Sequence, residues 1–530
     1  MSVGKAQALA VIGVSAAVVG VEAVMLSGLP HFTIVGLPDT AVNESRERIR
    51  AAFSSSGISF PQVRLTVNLS PANIPKSGTG FDLAIAMAIL AAMGGRVSTR
   101  DAYVGELGLD GSIRPVHGIL PAALGFCAQT TGSCDPADGQ VSIAQPDQSN
   151  RIPEYDPRLF VPFGCGEQAA LAGANTVEAW HLTQLAKLVG VTCGPIPAQP
   201  ALEPAKITPE PPFPDLGEVR GHDEAKMALE VAAAGGHHML MTGAPGIGKT
   251  MLAQCLPGIL PQLTHNEAIE VAAIRSVTGD FDGNLNTRAP FVAPHHTASA
   301  SSLIGGGPVP NPGAATLAHH GVLFLDEIPE FSRPALQALR QPMEEGRVRI
   351  DRVKASVTFP AQFQLVGAAN PCLCGNYIDE PRRCRCSASQ RRMYFQRIGG
   401  PLLDRFDIKI VLRRLTASDM HSSSARGSAD VRSRVCEARE RQHRRLADTT
   451  MATNAALDAA WLQRNTRLAA SAQNMIEQAL VHGRISMRGC AKILRLAWTL
   501  ADLAHHDMPE TDDIAFAFSI HAQGGFYADE

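Results

Sequence analysis

The chain of 530 residues carries 47 Lys and Arg against 50 Asp and Glu, a formal charge of −3, with 45% apolar and 18% charged residues. That balance excludes a disordered chain and a globally basic one, so nucleic acid would have to be met by local patches within about two to four globular domains. The 11 cysteines show no disulfide framework, which points to a reducing, cytoplasmic setting.

The first block spans 1–193. Its opening apolar run, Ala6–Leu26, is interrupted by Gln7, Ser15 and Glu22 and followed by Gly28-Leu29-Pro30. This reads as buried strands with a turn, not as a secretion signal or a membrane span, and no membrane association is expected. RLTVNLSPANIPKSGTGFDLAIAMAILAAMG (64–94) reads as a strand, a Pro/Gly loop and a buried helix. Residues 194–215 are Pro-rich, with little to bury, and form a linker. From 216 to 415, apolar β runs alternate with amphipathic helices, the pattern of a parallel sheet wrapped by helices. The block 416–530 is helical. In it, SMRGCAKILRLAWTLADLA places Cys490, Ile493, Leu494, Ala497, Ala501 and Ala504 on one stripe, with Ser486 as the N-cap.

HMLMTGAPGIGKTMLA is the strongest local signal. An apolar strand feeds Gly243, Ala244, Pro245, Gly246, Ile247, Gly248, Lys249 and Thr250 and then a helix. Such a loop turns backbone N–H groups onto phosphates, with Lys249 reaching the β- and γ-phosphates of ATP and Thr250 reaching Mg²⁺. The run GVLFLDEIPEF delivers Asp326 and Glu327 at the C-terminal end of a buried strand, Asp326 suited to Mg²⁺ and Glu327 to polarising a water. Alone, an acidic pair at a strand end is most often a solvated turn; beside the phosphate loop it points to ATP hydrolysis. A third strand, FQLVGAAN, ends on Asn370, whose amide suits orienting that water. Arg405 sits in a short loop before another strand, placed for a neighbouring subunit's γ-phosphate, and Arg488 opens the striped helix.

Four cysteines, Cys372, Cys374, Cys384 and Cys386, follow Asn370 as two C-x-C pairs joined by nine residues. Their spacing suits four thiolates around one tetrahedral Zn²⁺, whereas disulfides would be reduced in the cytosol and strained within each C-x-C pair. The expected role is structural, fixing a basic run (Arg382, Arg383, Arg385, Arg391, Arg392, Arg397) that leads to Arg405 for DNA or subunit contacts. Loss of Cys384 and Cys386 is expected to spare ATP binding. EEGRVRIDRVKASVTFP reads as a β-hairpin with Arg352 and Lys354 near its tip, a candidate for gripping DNA phosphates or simply a solvated turn. The Gly/Ser/Pro-rich TASASSLIGGGPVPNPG (297–313) suits a mobile pore loop.

The order of these motifs, together with SGLPHFTIVGLPDTAVNESRERIRAA, PHHTASASSLIGGG, LRQPMEEGRVRI and ILRLAWTLADL, closely resembles the magnesium-chelatase-like AAA+ ATPases of the ComM/YifB type, over nearly the whole chain. The resemblance implies an α/β AAA+ phosphate-loop core with a helical lid, a ring that is usually a homo-hexamer, and ATP-driven movement on single-stranded or branched DNA as a branch-migration helicase that helps integrate transforming DNA. Either Arg405 or Arg488 alone would read as a surface residue; their order in the chain favours a finger role for Arg405 and contact of Arg488 with the nucleotide from the lid. Residues 1–193 resemble the Lon-protease α+β fold, but aligning its loops puts Gly80 where the serine stands and Ala122 where the lysine stands, so no proteolysis is expected. Family members usually carry an acid near position 314, where this chain has Ala314, and Gly-Gln where it has Gly221-His222. Two other readings stay open: a motor subunit that inserts Mg²⁺ into a porphyrin, and a nucleotide-gated assembly scaffold.

Overall fold

The computed structural model describes residues 2–131, 156–201, 212–307, 310–352, 355–415 and 426–522. The chain divides into two compact units. One comprises 1–208 with 265–286 and 349–359, the other 209–264, 287–348 and 360–530.

The first unit is built on a seven-stranded mixed sheet. Its strands run, from edge to edge, His31–Val35, Arg64–Ser70, Ser15–Leu26, Ser2–Ile12, Ala102–Tyr103, Leu159–Pro162 and Thr176–Ala179. The apolar opening of the chain is thus an antiparallel hairpin at the sheet's centre, with Gln7 opposite Gly20 and Glu22 opposite Lys5. Glu22 pairs with Lys5 at 2.8 Å, so the charge that spoils a membrane span is satisfied across the strands. Against this sheet lies helix Asp82–Ala92. Leu83 to Leu90 are all fully buried, so the helix is apolar on every side. Helix Ile119–Thr131 carries Leu120 and Leu124 into a cluster with Ile269, Ala272 and Ala273 of helix His265–Thr278. The hairpin Arg347–Arg352/Ala355–Pro360 lies mostly in this unit, and its Val357 packs on the Gly13 turn.

The second unit holds a five-stranded parallel sheet ordered Phe291–Val292, Val322–Leu325, Gln364–Ala369, Met239–Gly243 and Ile408–Leu412. The three central strands are buried along their whole length, the pattern of a sheet covered on both faces. Among the described residues five helices follow, Ser428–Leu446, Ala459–Asn465, Ala470–Val481, Met487–Leu503 and Thr511–Ala522. Ser486 caps the fourth by accepting from the Gly489 N–H at 3.2 Å. The stripe on that helix is wider than its sequence period suggests. Leu496, Trp498 and Leu500 are buried as well, whereas Ala504 is exposed at the C-cap. The Trp498 ring meets Trp461 edge-on and receives Arg445, so an aromatic satellite core widens the apolar face.

In the 297–313 insert, helix Ala300–Ile304 leads into a small ladder pairing Gly305 and Gly306 with Pro312 and Asn311. Ala314 then opens a short helix and is buried, so an acid there would need a buried partner. Among the described residues no helix is long and apolar enough to cross a membrane.

Candidate nucleotide site and cysteine knot

In a parallel sheet the C-terminal strand ends share one edge, where ligands collect. Strand Met239–Gly243 gives way there to the loop that starts helix Lys249–Ile259. Gly246 and Gly248 take φ of 75° and 99°, left-handed values that wrap the loop around its own N–H groups. A Cβ on either would meet nothing within 4 Å, so the loop forms an open cradle for phosphate oxygens.

Lys249 is buried beneath this cradle. Its Nζ donates to the carbonyls of Gly243 at 2.7 Å and Ala244 at 3.0 Å, and to Asn370 Oδ1 at 3.0 Å. Burial pushes the Lys249 pKa down, while Asp326 and Glu327 counter it. Thr250 Oγ1 donates to Asp326 Oδ2 at 2.9 Å, placing a hydroxyl and a carboxylate side by side, the donor set Mg²⁺ takes. Glu327 stands at φ 50°, a strained conformation for a glutamate, with its N–H on Asp326 Oδ1 at 2.9 Å. His296 Nδ1 lies 3.9 Å from Glu327 Oε2. That neighbour was not singled out from sequence; PHHT carried the signal, but nothing local ties it to Glu327.

Arg405 sits elsewhere, with Glu344 as its ion-pair partner. Burial lowers its pKa, and the charges of Arg340 and Arg488 lower it further, so these three guanidiniums share one neighbourhood. The loop that carries Arg405 is braced from the lid. Lys492, on the same helix as Arg488, donates to the carbonyls on both sides of Arg405, those of Asp404 and of Phe406 (3.0 Å), and approaches Asp407 at 3.6 Å. Asp407 also takes His237 Nδ1 at 3.1 Å, and His237 Nε2 meets Thr499 Oγ1 at 2.8 Å. Burial works against the Asp407 charge, but the His237 hydrogen bond and the surrounding cations hold its pKa well below the usual range.

The four cysteines converge. Sγ separations are 3.4 Å for Cys372–Cys374, 3.7 Å for Cys372–Cys384 and 3.6 Å for Cys374–Cys384, and all four sulfurs lie within 4.8 Å of one another. A disulfide would need about 2 Å. A tetrahedral ion with metal–sulfur bonds near 2.3 Å demands edges of ~3.8 Å, so the thiols fit Zn²⁺. The N–H of Asn376 leads in holding the Cys374 thiol down to about 6, favouring the thiolate a metal takes, whereas burial pushes Cys372 up to about 12. Part of the basic run ties the knot down locally. Arg391 covers the Tyr377 ring at 4.0 Å and donates to Cys386 O at 2.7 Å, and Arg383 and Arg397 pair with Glu380 and Glu330. Arg382 and Arg385 are exposed.

At the hairpin, Arg352 is exposed, Arg349 is paired with Asp351 at 3.0 Å, and Lys354 lies outside the described residues. In the first unit, Gly80 faces Val116 and Val104, Ala122 is buried, and the nearby Lys76 amine is buried and bonded to the Pro71 carbonyl.

Three family models match this chain: magnesium chelatase, subunit ChlI, over 215–420; subunit ChlI of Mg-chelatase over 21–133; and the subunit ChlI C-terminal model over 425–521. An uncharacterized protein of Mycobacterium tuberculosis is 41% identical over 530 residues, covering 99% of each chain. YifB of Escherichia coli is 36% identical over 531 residues, covering 98% of this chain and 97% of that one. Competence protein ComM of Haemophilus influenzae is 37% identical over 510 residues, covering 95% and 94%. A shorter likeness, 26% identical over 193 residues and 32% of this chain, is to Lon protease 2 of Bacillus subtilis, of which it covers 34%.

Proposed function

Because this chain belongs to the magnesium-chelatase-like AAA+ ATPases of the ComM/YifB type, with a Lon-like domain before the ATPase core, we propose that it is a ring motor that moves on DNA at the expense of ATP. The substrate would be single-stranded or branched DNA, and the activity branch migration that helps integrate transforming DNA. The observation that carries the ATPase part is the convergence of Lys249, Thr250, Asp326 and Asn370 at one sheet edge, within hydrogen-bond reach of one another in pairs. Lys249 binds the terminal phosphates, Glu327 polarises the attacking water, and Asn370 orients it. Thr250 and Asp326 would hold Mg²⁺, which neutralises phosphate charge. Arg405, with Arg488 beside it, serves the γ-phosphate of a neighbouring subunit in a homo-hexamer, and the four cysteines hold one structural Zn²⁺.

The DNA part is supported by the likeness to a protein named for competence and by the exposed Arg352 on the hairpin. The test is ATP turnover with no DNA and with single-stranded, duplex and four-way-junction DNA. Stimulation is expected, strongest on the branched form. A rate indifferent to all three overturns the DNA motor, and Mg²⁺ insertion into a porphyrin is then the activity to assay.

A further inference from the structure

The peptide from Asn370 to Asn376 touches the phosphate loop at two points, and two of the four cysteines, Cys372 and Cys374, lie between them. At one end, Asn370 Oδ1 accepts from Lys249 at 3.0 Å. At the other, Gly375 lies flat against Pro245 within the loop itself. A Cβ on Gly375 would come 2.6 Å from Pro245 Cδ and 2.9 Å from its Cγ, distances real side chains do not tolerate. Gly375 also takes φ 78°, closing a tight turn with its N–H on the Cys372 carbonyl at 3.0 Å. Between the contacts, Cys372 is fully buried and Cys374 lies 3.4 Å from it.

What holds this peptide in place is not a hydrophobic core. From Leu373 to Glu380 no large apolar side chain is buried, Leu373 itself is exposed, and the only regular element before Cys384 is the single turn Pro381–Arg383. Ordering such a segment costs about 1–2 kcal/mol per residue in backbone entropy, which a few surface hydrogen bonds do not offset. A four-thiolate metal site does, because it crosslinks both ends of the loop and its binding free energy becomes ordering free energy. The far side is fixed independently: the Arg414 N–H reaches Asp379 at 3.0 Å, just beyond the strand Ile408–Leu412.

We propose that the four-cysteine knot is a strut for the phosphate loop, so that metal held by Cys372, Cys374, Cys384 and Cys386 sets the affinity for ATP through Gly375 and Pro245. This rests on the zinc and ATP roles given above. It departs from the sequence expectation that losing the knot spares ATP binding.

The test uses full-length protein purified without chelator, with zinc counted per chain and a fluorescent ATP analogue titrated at equilibrium. Stripping the metal with a thiol-directed mercurial and a chelator is expected to weaken analogue binding at least about tenfold, and reversing the mercurial with thiol and returning zinc is expected to restore it. Gly375→Ala, strained at φ 78° and pressed against Pro245, is expected to lower the unfolding midpoint yet, measured well below that midpoint, to keep its zinc while losing affinity, a separation of metal occupancy from affinity that a purely structural knot would not produce. Unchanged affinity in both metal-stripped protein and Gly375→Ala overturns the strut. Native protein free of metal, with four freely titrating thiols, overturns the zinc role itself. Zinc-loaded native protein that binds no analogue overturns the ATP reading.

Discussion

At the scale of single residues, Glu327 and Lys249 separate two functions that one loop edge brings together. Glu327 holds its place through its backbone, with φ 50° and an N–H on Asp326, so replacing its carboxylate by an amide leaves the Thr250–Asp326 pair undisturbed. Glu327→Gln is therefore expected to bind ATP within a few-fold of the parent while turnover falls by about 10² to 10⁴, the usual contribution of a general base. Lys249→Ala removes a buried cation that three oxygens already pre-orient, so the loss should fall on binding first. Parallel measurements of steady-state turnover and analogue affinity distinguish them. Equal affinity in the two variants would show that Lys249 does not bind phosphate.

At the scale of elements, the entry to the phosphate-loop strand carries one histidine, His238, that must stay neutral. Burial pushes His238 down to about 4, and its Nδ1 accepts the Leu365 N–H at 2.9 Å, a bond a protonated ring could not accept. Burial also lowers His237, but its contact with the Asp407 carboxylate counters the shift. In the unfolded chain His238 would titrate near ~6.5. Its contribution to stability is therefore complete above that pH and declines below it, as the unfolded chain takes up a proton that the folded one refuses. At pH 5.5 the loss from His238 is about 1 kcal/mol. Chemical unfolding at pH 7.5 and 5.5 should show this decline, and His238→Gln, which can still accept from Leu365, should flatten it. The elements themselves were largely legible in the sequence. The phosphate loop, the strand ending in Asp326 and the cap at Ser486 are each encoded within a dozen residues, where local periodicity and turn chemistry act. What stayed hidden joins distant segments: Lys492 bracing the loop of Arg405, Glu344 pairing with that arginine, Gly375 lying on Pro245. No local pattern specifies such pairs, because only the closed sheet brings them together. The stripe on Met487–Leu503 was underestimated for a related reason, since Trp461 arrives from another helix to bury Trp498.

At the scale of the whole molecule, the separation of Arg405 from the phosphate-loop groups predicts division of labour between subunits. Arg405→Ala subunits should bind ATP but hydrolyse it more slowly, by up to about 10³ to 10⁵ if the guanidinium completes a neighbour's site. Mixing them with Glu327→Gln subunits should recover part of the activity, since some interfaces then join an intact Glu327 to an intact Arg405. No recovery over a range of mixing ratios would assign Arg405 to its own subunit. A different consequence follows from the way the first unit borrows residues 265–286 and 349–359 from far along the chain. Leu120 and Leu124 leave the ribosome on the order of 150 residues before Ile269, Ala272 and Ala273, which at about 5–20 residues per second is a wait on the order of 10 s. Through that interval the nascent chain shows a helix face that, of its later partners, only Leu171 and Ala172 can reach. Completion of the first unit's core therefore trails its own translation, leaving transiently exposed apolar surface of the kind chaperones bind.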